Sequence, residues 1–129
     1  MSDRNISIQD RTKQFALRAI KVYGFINENS HFNSAEAIIS KQFFRSSTSV
    51  GANCAEAKSA QSTKDFISKY EIALKEANET KYWLELLIEG NLISEKKLSL
   101  MYQEIKEIIA ILTASINKLK TKLNSKVRS

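Results

Sequence analysis

Few residues in this sequence are equipped for chemistry, and their spacing excludes more than it offers. One histidine, His31, and one cysteine, Cys54, stand 23 positions apart. A zinc site needs four ligands, so this pair would require carboxylates converging on it. Glu71, Glu76, Glu79, Glu85 and Glu89 share one segment and invite comparison with di-metal carboxylate bundles. Those bundles also need Glu-x-x-His on two helices, and the sequence contains none. The glutamates are expected to pair with lysines on neighbouring turns, as Glu71 with Lys75. Ser49-Val50-Gly51-Ala52-Asn53 holds a glycine but lacks the phosphate-loop pattern. The Arg-x4–6-His motif of some small helical ribonucleases is missing too, because the arginine nearest before His31 is Arg18, thirteen residues upstream. The expectation is a protein that is no enzyme and holds neither metal nor cofactor.

The remaining candidate chemistry is cationic. Lys118, Lys120, Lys122, Lys126 and Arg128 follow Glu107, and no acidic residue comes after it. Lysines reach phosphates without reading bases, so such a run supports salt-sensitive, sequence-tolerant binding of RNA or DNA. The plain alternative is a solvated basic tail. The net charge of +6 gathers in the first and last quarters of the chain. In a bundle those segments can be neighbours, giving a basic side that attracts polyanions or merely keeps the protein in solution.

These residues need elements to hold them, and the elements read as helices. The 129 residues contain no proline and three glycines, too few turn-formers for a β-rich fold. Apolar residues recur every three to four positions in four stretches, at about 8–27, 34–58, 63–89 and 95–124. Ser7, Asn33 or Ser34, Ser62 and Ser94 stand where N-caps belong, and Gly90-Asn91 where the third helix should stop. The expected stripes are Phe15, Ala19, Val22, Tyr23 and Ile26, then Ile39, Phe43, Ser46, Val50, Cys54 and Ala57. In the third helix Phe66, Tyr70, Ala73, Ala77, Thr80, Leu84 and Leu87 alternate in fours and threes. In the fourth, Leu98, Tyr102, Ile105, Ile109, Leu112, Ile116, Leu119 and Leu123 do so. Gly51 costs about 1 kcal/mol of helix propensity, a reasonable cost only if the missing side chain makes room for a neighbour. Connections of three to eight residues favour sequential antiparallel packing. The expected fold is all-α: residues 1–129 as a single domain, an up-down-up-down antiparallel four-helix bundle with a basic C-terminal tail.

Ile72, Trp83 and Leu86 project away from the Phe66 direction of the third helix and lie close to one another. Such a cluster on an outer face fits a subunit interface, and so a homo-oligomer. A slight rotation of the helix, burying Trp83 against a neighbour, is the other reading. No window has the apolar length to span a membrane, Met1–Asp10 lacks the apolar region of a secretion signal, and the lone Cys54 forms no internal disulfide. A cytoplasmic location is expected.

One pattern carries a family likeness. Arg45-Ser46-Ser47-Thr48-Ser49-Val50-Gly51-Ala52-Asn53-Cys54-Ala55-Glu56-Ala57, followed by Lys64-Asp65-Phe66-Ile67, Ile72 to Ala77 and Glu79-Thr80-Lys81-Tyr82-Trp83-Leu84, resembles the 23S rRNA intervening-sequence protein family of bacteria. Asp10-Arg11-Thr12 with Phe15-Ala16 fits as well. Many members have a proline in the first connection and a glycine after the Ala-Glu pair, where this chain has no proline and Ala57. The resemblance implies a four-helix bundle assembled into a ring-like homopentamer. It also implies kinship with the accessory variability protein of diversity-generating retroelements, which partners a reverse transcriptase and nucleic acid. It brings no established catalytic activity. Arg45, Ser49, Asn53 and Glu56 would then line successive turns of the second helix, to hydrogen-bond across helices or to recognise a ligand. Together these readings predict an oligomeric, basic, non-enzymatic bundle that binds nucleic acid or a ribonucleoprotein partner. The alternative is a protein-interaction scaffold with an incidental basic surface.

Overall fold

A computed structural model describes the backbone of residues 6–128 and the side chains of residues 6–126. Four helices follow one another: α1 (Ile8–Glu28), α2 (Ala35–Ala57), α3 (Thr63–Glu89) and α4 (Glu95–Arg128). Among the described residues there is no strand. Three helices start on a serine in extended conformation whose hydroxyl accepts a first-turn amide. Ser7 takes Asp10 N at 3.1 Å, Ser34 takes Ala37 N at 3.2 Å and Ser62 takes Asp65 N at 3.0 Å. Each bond satisfies a donor that the helix itself leaves without a partner. At the end of α3 the left-handed residue is Asn91 (φ 55°), while Gly90 keeps ordinary helical angles. Gly90 is needed for space, since a Cβ there would lie 2.7 Å from Leu86 O.

The cross-helix contacts give the topology. Gly51 faces Thr12 while Cys54 accepts from Gln9, and Ser46 meets Thr80 while Glu56 meets Lys69. Glu71 meets Lys120 while Tyr102 meets Glu85, and Arg11 meets Glu104 while Phe25 meets Lys97. In every pair one number rises as the other falls. Each helix is therefore antiparallel to the next and α4 returns beside α1, an up-down-up-down bundle. Gly51 does make room: a Cβ there would stand 3.3 Å from Thr12 O, so α1 and α2 approach closely.

The core is built from Phe15, Ile26, Phe43, Val50, Leu84, Leu87, Ile105 and Leu112 with smaller residues between them. It departs from the expected stripes: Val22, Tyr23, Ile39, Leu119 and Leu123 are half-buried, and at three further positions a neighbour has taken the core place. Ile67, Met101 and Ile108 are buried where Phe66, Tyr102 and Ile109 were expected, and these last three are half-buried at its edge. For Tyr102 the reason is its hydroxyl, which donates to Glu85 Oε2 at 2.7 Å and turns the ring toward α3. Buried hydroxyls are satisfied: Ser47 donates to Phe43 O, Thr12 to Ile8 O and Thr80 to Glu76 O, with Ser46 Oγ of α2 2.8 Å from the Thr80 hydroxyl. No buried side-chain nitrogen or oxygen among the described residues lacks a partner. That is what a low-dielectric interior requires.

Candidate functional site

α4 is the longest element, 34 residues or roughly 51 Å. It continues beyond residue 124, so the C-terminal lysines stand on a helix. Lys118, Lys122 and Lys126 are spaced by four and share one face. Lys118 and Lys122 are exposed, and no ion pair engages either among the described residues. Lys120 points elsewhere, and its Nζ lies 2.8 Å from Glu71 Oε2 on α3. The Arg128 side chain lies outside the described residues. The five cations therefore divide: a stripe of three, one lysine turned to an acid, and one terminal arginine.

The second candidate group lies along α2 and its seam with α3. Arg45 binds two carboxylates of α3, Nη1 to Glu76 Oε2 at 3.3 Å and Nη2 to Glu79. Trp83 Nε1 donates to Glu79 Oε2 at 3.3 Å, so the indole is tied into the same network. Ser49 donates back to Arg45 O at 2.9 Å, and Asn53 to Ser49 O at 2.9 Å. Glu56 meets Lys69 across the seam at 3.6 Å. Arg45 and Glu56 thus hold α2 to α3, while Ser49 and Asn53 spend their polar atoms within α2. Ile72 is exposed, Leu86 is half-buried, and Trp83 is half-buried against the core, with the exposed Tyr82 edge-on at 5.3 Å.

One charged group that the sequence reading passed over is buried. Arg11 sits on the core face of α1, one turn before Phe15, and binds Glu104 through two hydrogen bonds of 2.8 and 3.1 Å. It also reaches Glu107 at 3.2 Å. The Glu104 hydrogen bond raises the guanidinium pKa against the lowering effect of burial, so the charge persists. The available signal was Glu104 and Glu107, nearly one turn apart in a helix whose other acid is Glu95 at its start.

Cys54 is fully buried, and burial pushes its thiol up to about 11, against a smaller opposing hydrogen bond from Thr12. His31 stands exposed in the α1–α2 connection, bonded to Asn33 and stacked on Phe32. Among the described residues no three His, Cys, Asp or Glu side chains gather as metal ligands. No described helix is long and apolar enough to cross a membrane.

No curated protein matches the chain. It is similar to a crystal structure of a protein with unknown function from the S23 ribosomal protein family of Bacteroides thetaiotaomicron VPI-5482. The two are 41% identical with a TM-score of 0.76, over 85% of this chain and 98% of that one. The family described as 23S rRNA-intervening sequence protein matches residues 4–114, which takes in α1, α2, α3, Arg11 with Glu104 and Glu107, and the Arg45–Glu56 block, and stops short of the lysine stripe. With most of its length matched, the chain belongs to the 23S rRNA-intervening sequence protein family.

Proposed function

We propose that this protein is a non-enzymatic, oligomeric helical bundle of the cytoplasm that binds nucleic acid or a ribonucleoprotein partner through the C-terminal part of α4. The observation that carries the reading is the stripe of Lys118, Lys122 and Lys126 on one face of an acid-free segment. Three cations on a rigid rod, spaced by about 6 Å of helix rise, suit a phosphate backbone and read no base. The family's name refers to intervening sequences of 23S rRNA and the neighbour's to a ribosomal protein family, an RNA setting that agrees with this charge. The family likeness adds a homopentameric ring and a reverse-transcriptase-like protein as candidate partners.

Anisotropy of labelled RNA and DNA at rising salt tests the proposal. Affinity should fall with salt, and Lys118→Gln with Lys122→Gln should lower the log–log slope by about 0.7 per lysine on single strands. No binding at low salt, or binding indifferent to salt, overturns it. A second reading, the protein-interaction scaffold, is favoured by large apolar side chains left on the surface, Phe32 and Leu100 above all.

A further inference from the structure

α1 and α4 close the bundle, and between them the surface opens into a groove of about 600 Å³. Its lining mixes two chemistries. Val22 and Leu100 give apolar surface over the buried Met101, while Arg18, Lys21 and Lys97 give positive charge. Leu100 is 82% exposed, a whole aliphatic side chain left in water. A smaller recess of about 180 Å³ continues the groove past Phe25, where Lys97 Nζ lies 3.5 Å from the ring centroid.

The charges of this groove are unbalanced. Its two carboxylates, Glu104 and Glu107, are both held by Arg11. No ion pair engages Arg18 or Lys21 among the described residues, and Lys97 has only the Phe25 ring. A second copy of this chain has little to offer in return. Its mid-helix carboxylates on α3 are engaged: Glu71 by Lys120, Glu76 and Glu79 by Arg45, and Glu85 by Lys81. Those without an ion pair among the described residues, Asp10, Glu28, Glu36, Asp65, Glu89 and Glu95, stand at helix ends rather than along a face. A phosphate backbone would satisfy the cations and leave Leu100 uncovered. An amphipathic helix with leucine-like anchors and flanking carboxylates satisfies both.

We propose that the groove between α1 and α4 docks an acidic amphipathic helix of another protein. Its apolar face covers Val22 and Leu100, and its carboxylates meet Arg18, Lys21 and Lys97. This surface lies apart from the lysine stripe and does not depend on it.

The test uses the full chain and two designed, labelled helical peptides. Both carry leucines at three- and four-residue spacing; one is flanked by glutamates and the other by lysines. The acidic peptide should bind about tenfold more tightly than the basic one, or better. Leu100→Asp, and separately Lys21→Glu with Lys97→Glu, should each weaken it about tenfold with helicity unchanged by circular dichroism. Lys118→Gln with Lys122→Gln should leave it unaffected. Absence of binding at low salt, equal binding of the two peptides, or wild-type affinity in a folded Leu100→Asp variant overturns the proposal. Loss of self-association in Leu100→Asp assigns the groove to a second copy, and displacement of the peptide by an oligonucleotide assigns it to nucleic acid. Either result overturns it as well.

Discussion

Arg11 Nε lies 2.8 Å from Glu104 Oε1 across the α1–α4 seam, with the two side chains only 9% and 14% exposed. An ion pair this sheltered specifies how the first and last helices meet more than it adds net stability, because both charges lose water to form it. Removing one member is a different matter, since it strands the other. Arg11→Leu should cost about 3 kcal/mol in urea denaturation. Adding Glu104→Leu should return most of that loss, which a double-mutant cycle reads directly. Equal destabilisation by the single and double variants would mean that lost packing, not stranded charge, sets the cost.

Two glycines in neighbouring helices should respond to alanine in opposite ways. Gly24, within α1, has nothing within 4 Å of where a Cβ would stand. Gly24→Ala should therefore stabilise by roughly 0.5–1 kcal/mol from helix propensity alone. At Gly51 the same Cβ meets the backbone oxygen of Thr12 at 3.3 Å, and backbone yields less readily than a side-chain tip. There the propensity gain is spent on pushing α1 away, and Gly51→Ala should give no stabilisation. Gly51→Leu should cost about 2–3 kcal/mol through overpacking. Thermal melts of the three variants check the set.

The Cys54 thiol provides a pH-dependent prediction. Its folded pKa is raised from 9.0 to about 11 by burial. A thiol that stays protonated longer in the folded state contributes stability fully present below pH 9. That contribution is lost as pH rises toward 11, because the unfolded chain ionises first. Unfolding measured by denaturant from pH 8 to 11 should show stability falling by about 2–3 kcal/mol, at 1.4 kcal/mol per pH unit. Tyr70, also raised by burial, adds in the same direction. Cys54→Ala should flatten most of the slope between pH 9 and 11. A wild type and a Cys54→Ala variant with identical alkaline slopes would rule this out.

How far the sequence is legible depends on whether a feature is periodic or paired. The four helices, the serine caps of the first three and the close approach at Gly51 follow from local patterns, so they can be read along the chain. The choice between Met101 and Tyr102, or Ile108 and Ile109, cannot. Both members of each pair are largely apolar and adjacent in sequence, so either can start a stripe of the same period, and a hydrogen bond to Glu85 on another helix decides the first. Long-range ion pairs were hidden for the same reason. Arg11 and Glu104 stand 93 positions apart, and Arg45 and Glu79 34, and nothing local marks either as a partner. The expected Glu71–Lys75 pair illustrates this failure, since Glu71 is taken by Lys120 from α4 instead. The lysine stripe was visible as composition, but its division into Lys118, Lys122 and Lys126 on one face and Lys120 on another required knowing where α3 lies.

Trp83 gives the last prediction, which separates its two possible roles. Within the monomer it is half-buried against the core and donates to Glu79, whose carboxylate also binds Arg45. If that were its whole role, Trp83→Ala would lower stability by about 2 kcal/mol, a moderate value for a partly exposed large-to-small change, and leave mass unchanged. The exposed Tyr82 and Ile72 on the same helix imply a further role, because aromatic anchors with bare aliphatic neighbours are what subunit interfaces use. In that case light scattering should show an oligomer for the wild type. It should show a shift toward monomer for Trp83→Ala at unchanged helicity. Ile72→Asp, at a side chain 42% exposed that contributes little to the fold, should produce the same shift without loss of stability. A wild type that scatters as a monomer removes the interface reading for all three residues, Ile72, Trp83 and Leu86.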